Sequence, residues 1–177
     1  MKKKYLFLDC ESAGLRGDIF AAALVGYDGK TIFNGFYRHP ELQTNNWLKE
    51  NVEPNLNGIE YKSAVEFQKA FVEAYESTRE EYGFGPYKSL AVVTHMGVPV
   101  EANFFQQLFH ASLLEEFSGP YPLLDTSTLL EAQGEPADSE HAYAKAYNIE
   151  LPKDYIMHSA LSDAHLTRLV WKHLTEK

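Results

Sequence analysis

The sequence predicts an α/β domain built on a central mixed five-stranded sheet flanked by helices, and three observations predict it. The first third of the chain holds three strand-like apolar runs, two of them joined by Asp28-Gly29-Lys30. Further on, apolar residues recur at helical spacing, as at Phe67, Phe71, Ala74 and Tyr75. Short apolar runs separate these helical stretches, so strands and helices alternate in the later part of the chain.

Each element has its own signal. Tyr5-Leu6-Phe7-Leu8 is a continuous apolar run flanked by charge, which suits a central strand covered on both faces and ending at Asp9. Residues 19–27 and 31–37 read as the next two strands, because Asp-Gly between apolar runs is a tight-hairpin signal. Residues 40–62 are rich in Asn, Pro and Gly and read as a surface connection with one helical turn near Trp47. Ser63-Ala64-Val65-Glu66 is a capping box opening a helix over 64–80. Residues 90–93 form a fourth strand, and Ala102, Phe105, Phe109 and Leu113 stripe the helix that follows. Leu123-Leu124 gives a fifth strand ending at Asp125, before helices over 139–148 and 159–175; Leu166, Leu169, Val170 and Leu174 share one face of the last.

Length and composition bound the rest. With 177 residues, 45% of them apolar, residues 1–177 are expected to form one domain with a sizeable core. The net charge of -9 disfavours a tight duplex binder with a basic stripe. It leaves room for brief binding of a short single strand, since divalent cations held by carboxylates reverse the local field. Cys10 is the only cysteine, so an intrachain disulfide and a cysteine-based zinc site are excluded and a reducing, cytoplasmic setting is expected. The basic start Met1-Lys2-Lys3-Lys4 precedes an apolar run too short for a signal peptide, and no stretch has the length of a membrane span.

Two groups of residues carry chemistry. Asp9 and Glu11 are two residues apart, so on a strand both carboxylates project to one side and suit hard divalent cations, while Cys10 points the other way as a small buried hydrophobe. Alone, such a pair is usually just an exposed acidic strand end. His158 precedes a helix whose first turns hold Asp163. A carboxylate there is also what the helix dipole favours, and a loop histidine often does no more than bond a backbone carbonyl.

Taken together, these residues resemble a known family. Asp9-Cys10-Glu11-Ser12-Ala13-Gly14-Leu15 is similar to the D-x-E-T-T-G-L motif of DEDDh, or DnaQ-like, 3′-5′ exonucleases, and His158-Ser159-Ala160-Leu161-Ser162-Asp163-Ala164 to their H-x-A-L-x-D-A motif. Val92-Val93-Thr94-His95 and Leu124-Asp125-Thr126 resemble the family's middle strands, so the likeness runs through nearly the whole chain. The second motif departs: where the family reads H-N-A-x-F-D, His95-Met96-Gly97-Val98-Pro99-Val100-Glu101 reaches a carboxylate one residue later. Glu101 is assigned the fourth acidic role, with Asn103 as the alternative; a helix starting near Pro99 puts them about 200° apart, so both cannot face one site.

The resemblance implies an RNase H-like fold and a hydrolase in which Asp9, Glu11 and Asp163, with Glu101, surround two Mg²⁺ or Mn²⁺ ions while His158 acts as general base. It also implies that Ala13, Gly14 and Leu15 lie against the terminal nucleotide of a single-stranded RNA or DNA 3′ end. A catalytically impaired nucleic-acid-binding or scaffold protein on the same fold is the rival. RNA against DNA, and whether the protein is a homodimer, are left open.

Overall fold

The computed structural model describes residues 4–83 and 90–176, so the start Met1-Lys2-Lys3 lies outside the described residues. In chain order the elements are β1 (Tyr5–Ser12), β2 (Ile19–Gly26), β3 (Thr31–Tyr37), α1 (Glu41–Thr44), α2 (Asn46–Asn51), β4 (Ile59–Tyr61), α3 (Ala64–Glu81), β5 (Ala91–Thr94), α4 (Val100–His110), β6 (Leu123–Asp125), α5 (Thr126–Ala132), α6 (Glu140–Ala146) and α7 (Ala160–Thr175). The strands form one mixed six-stranded sheet in the order β4-β3-β2-β1-β5-β6. β2 runs antiparallel to both β1 and β3, whereas β1/β5, β3/β4 and β5/β6 pair in parallel.

The expected sheet had five strands, and the sixth is β4. It has only three residues and Ile59 is exposed, so it lacks the length for a period-2 signal; its pairing with β3 comes from tertiary context. The helical turn expected near Trp47 is present as α2, and a second short helix, α1, precedes it in the same connection. Asn45 caps α2 by accepting from the backbone N–H groups of Trp47 and Leu48.

Two further differences bear on the site. β1 does not end at Asp9, as expected, but runs to Ser12, which places Asp9 and Glu11 within the strand, opposite Ala23 and Ala21 of β2. On α4 the buried face is Glu101, Phe104, Phe105 and Leu108, and the helix ends at His110, before Leu113. Apolar residues surround this helix on most sides, so its pattern does not fix the phase, and the observed phase turns Glu101 inward.

The sheet separates two apolar layers. Leu6, Leu8 and Cys10 of β1 face α3 and α4, where Phe67, Phe71, Phe104 and Phe105 complete the first core. Phe71 and Phe104 have ring centroids 4.7 Å apart, and truncating such a buried ring to alanine costs about 3–5 kcal/mol. On the opposite face Phe7, Ala23, Val25 and Val93 meet Ala160, Ala164 and Trp171 of α7. α5 and α6 join α7 through Leu130, Tyr143, Leu166, Val170 and Leu174. Alternation along β1 therefore sends Leu6, Leu8 and Cys10 one way and Phe7 the other, and Asp9 and Glu11 continue the α7 side. Among the described residues no helix is long and apolar enough to cross a membrane.

Candidate active site

The site forms where the sheet opens. β1 pairs with β5 only from Tyr5 to Phe7, so the second half of β1 has no strand on that edge. The chain leaves β1 toward β2 and leaves β5 toward β6 on the other side. In open α/β sheets, ligands bind outside the strands' C-terminal ends at such a switch point. Here the missing strand is replaced by a side chain: Glu101, from the first turn of α4, accepts the backbone N–H of Cys10 on Oε1 at 3.0 Å. Pro99 serves as N-cap of that helix. Asn103 turns away and donates to Gly17 O at 3.0 Å.

The remaining groups come from α7 and the loop before it. Asp163 accepts the Tyr155 hydroxyl on Oδ1 at 2.8 Å and the His158 backbone N–H on Oδ2 at 2.9 Å. One ligand atom each of Glu11, His158 and Asp163 lies within 4.8 Å of the others, a spacing that fits a shared metal ion. His158 itself sits at φ +59, a left-handed backbone conformation.

Burial raises the proton affinity of these four carboxylates. Burial first, then the charges of Asp163 and Glu101, pushes Glu11 up to about 8. Glu101 also rises to about 8, mainly by burial; the Cys10 N–H bond opposes the rise and the Asp125 charge adds to it. Asp9 is raised well above the ordinary aspartate value by burial and then by Asp163, Glu101, Glu11 and Glu140. Asp163 is raised by burial, with the Tyr155 and His158 hydrogen bonds working against the shift. Groups that hold protons for want of a counter-charge are suited to accept cations.

Ala13, Gly14 and Leu15 form a closed loop after β1. Ala13 N donates to Asp18 O, and Gly17 N to Gly14 O, both at 2.9 Å. Gly14 has φ +92 with nothing within 4 Å of an added Cβ, so the turn rather than crowding requires glycine there. At Gly17 a Cβ would stand 2.0 Å from Ala13 O, which fixes glycine sterically. Gln107 donates to Gly17 O beside Asn103, and Leu15 is left 71% exposed at the loop tip.

Sequence reasoning missed several residues behind this cluster. Glu140 is buried, its Oε1 2.5 Å from Thr126 Oγ1 and its Oε2 2.8 Å from Thr167 Oγ1. Burial, its largest perturbation, raises it to about 8. A glutamate just after Ser139, the N-cap of α6, reads in sequence as an ordinary helix-start charge, so no signal distinguished it. Tyr155 carried no motif either. Asp125, by contrast, spends both oxygens on protein donors: Met96 N, Ser127 N and Ser127 Oγ on Oδ1, and Gly97 N on Oδ2.

No protein-family model matches the chain, and no curated protein matches it.

Proposed function

We propose that this protein is a metal-dependent 3′-5′ exonuclease of the DEDDh type on an RNase H-like fold, acting in the cytoplasm on the 3′ end of short single-stranded RNA or DNA. The observation that carries the reading is convergence: Glu101 from α4 bonds β1 between Asp9 and Glu11, the charges of Asp163 and Glu101 bear on both Asp9 and Glu11, and the His158 ring stands beside Glu11 and Asp163. The opening three-strand meander and the helices on both faces of a mixed sheet agree with the fold that the motifs imply.

The donor set fits Mg²⁺ or Mn²⁺, because it is dominated by carboxylate oxygens and offers no thiolate. Asp9, Glu11 and Asp163 would hold two such ions, with Glu101 supplying further negative charge. When bound, the cations acidify water and offset charge on the phosphoryl oxygens. His158 takes the proton from the attacking water, whose oxygen forms the new bond to phosphorus as the 3′ oxygen of the next nucleotide leaves. The product is a nucleoside 5′-monophosphate. Leu15, exposed at the tip of the 13–18 loop, lies against the terminal base.

The 4.8 Å grouping of Glu11, His158 and Asp163 favours a second reading in which His158 is a metal ligand. Two measurements separate these readings. Pure protein is incubated with 5′-labelled RNA and DNA oligomers, with and without Mn²⁺, and stepwise release of 5′-monophosphates from the 3′ end is expected only with metal. Calorimetric Mn²⁺ titration of His158→Ala then decides its role: unchanged affinity with lost turnover marks a base, and lost affinity marks a ligand. Metal binding without cleavage of any oligomer would leave the scaffold reading in place.

A further inference from the structure

His158 occupies the left-handed region at φ +59, a conformation that a residue bearing a Cβ keeps when its surroundings hold it there. Its own N–H goes to Asp163, but its two neighbours are tied to a distant part of the chain. Asn55 Nδ2 donates to Met157 O at 3.1 Å, and Asn57 Nδ2 donates to Ser159 Oγ at 2.8 Å. Trp47 meets the His158 ring at 5.3 Å with an interplanar angle of 73°. Three contacts from residues 47–57 thus bracket a single histidine.

The base of this bracket is fixed. Leu48 and Val52 are buried in the first core and Leu56 packs against it. Asn57 Oδ1 accepts from Asn34 Nδ2 of β3 at 2.9 Å, and the next strand, β4, pairs in parallel with β3. The bracket therefore hangs from the sheet, on which Glu11 also stands.

We infer that Asn55 and Asn57, aided by Trp47, are positioning residues that hold the 155–159 loop so that the His158 imidazole stands beside Glu11 and Asp163. The catalytic consequence rests on the reading of His158 as the base. A base held loosely loses rate because reacting groups must meet within a narrow range of distance and angle.

The test compares wild type with Asn55→Ala/Asn57→Ala and, separately, with Ser159→Ala. Asn55 also donates to Asn51 O, so the double variant disturbs α2, whereas Ser159→Ala removes only the acceptor on the loop side. Readouts are kcat and KM on a 5′-labelled oligomer with Mn²⁺, Mn²⁺ affinity by calorimetry, and the nuclear Overhauser contact between Trp47 indole and His158 imidazole protons. Turnover is expected to fall about tenfold in the double variant and about threefold in Ser159→Ala, with KM and Mn²⁺ affinity changed less than about twofold. The Trp47–His158 contact should vanish in the double variant. Unchanged turnover, a matching loss of metal affinity, or survival of that contact overturns the inference. If wild type cleaves no oligomer, the nuclease reading fails instead, and the Trp47–His158 contact alone decides whether the asparagines hold His158.

Discussion

Glu101 Oε1 accepts the Cys10 N–H at 3.0 Å, so a carboxylate from α4 reaches β1 between its two acidic residues, Asp9 and Glu11. Glutamine at this position keeps an oxygen for the Cys10 N–H and removes the charge. Glu101→Gln should therefore leave the melting temperature unlowered while activity falls by about 10–100-fold. Asn103 serves the 13–18 loop through Gly17 O. Its replacement by alanine forfeits one hydrogen bond, about 0.5–1.5 kcal/mol, and the effect should appear in KM. Parallel single-turnover assays rank the two variants, and a larger loss in Asn103→Ala would assign the fourth acidic role to that residue.

Asp9→Ala and Asp163→Ala should differ in stability although the proposed reaction uses both carboxylates. Asp9 is raised by burial and by four neighbouring carboxylates, so Asp9→Ala relieves repulsion and should raise or preserve the melting temperature. Asp163 accepts from both Tyr155 and His158. Asp163→Ala leaves those donors without their partner, and a loss of about 1–3 kcal/mol is expected. Thermal denaturation without metal makes the comparison; equal melting temperatures would mean that the hydrogen bonds to Asp163 hold nothing in place.

Residues that report on local physics were legible in the sequence. The hairpin at Asp28-Gly29, the cap at Ser63 and the odd-numbered carboxylates of β1 all follow from turn chemistry, capping and strand alternation within a few residues. Features that depend on distant partners were not. β4 exists because β3 offers an edge, the phase of α4 is set by the open edge of β1, and Glu140 is buried because α5 and α7 close over it. The Asn55 and Asn57 bonds span about a hundred positions of sequence, a separation at which no local pattern exists.

Glu140 should make the fold sensitive to pH. Thr126 Oγ1 has one proton and stands within hydrogen-bond distance of Thr94 O, Glu140 Oε1 and His95 Nδ1. A protonated Glu140 donates to Thr126, whose hydroxyl is then free to donate to Thr94 O. The group is raised to about 8 in the fold, against an ordinary glutamate value near 4.5 in the unfolded chain. Between those values the folded state holds a proton that the unfolded state has lost, so stability must fall as pH rises from about 4.5 to 8. Glu140→Gln removes the Glu140 share of this slope and leaves that of the other raised carboxylates. Chemical denaturation at pH 5 and pH 8 should show the variant gaining about 1–3 kcal/mol on wild type over that range. Parallel curves would place the Glu140 proton elsewhere.

Metal binding should carry the opposite pH signature. Glu11 and Glu101, both raised to about 8, hold protons at neutral pH when no cation is present, and burial raises Asp9 and Asp163 in the same direction. A cation needs the ionised carboxylates, so it must displace those protons, and its affinity climbs as pH rises toward 8, then levels. Below pH 6 the proton wins the competition. Calorimetric Mn²⁺ titrations at pH 6, 7 and 8, each in two buffers of different ionisation enthalpy, give both the affinity and the number of protons released. The expected outcome is at least one proton released at pH 7 and an affinity that rises by about tenfold for each pH unit per proton displaced. The same titration on Glu101→Gln should release fewer protons, because one of the protonated groups is gone. An affinity that is flat across this range, with no buffer dependence, would show that the cation binds outside the Asp9, Glu11, Glu101 and Asp163 cluster.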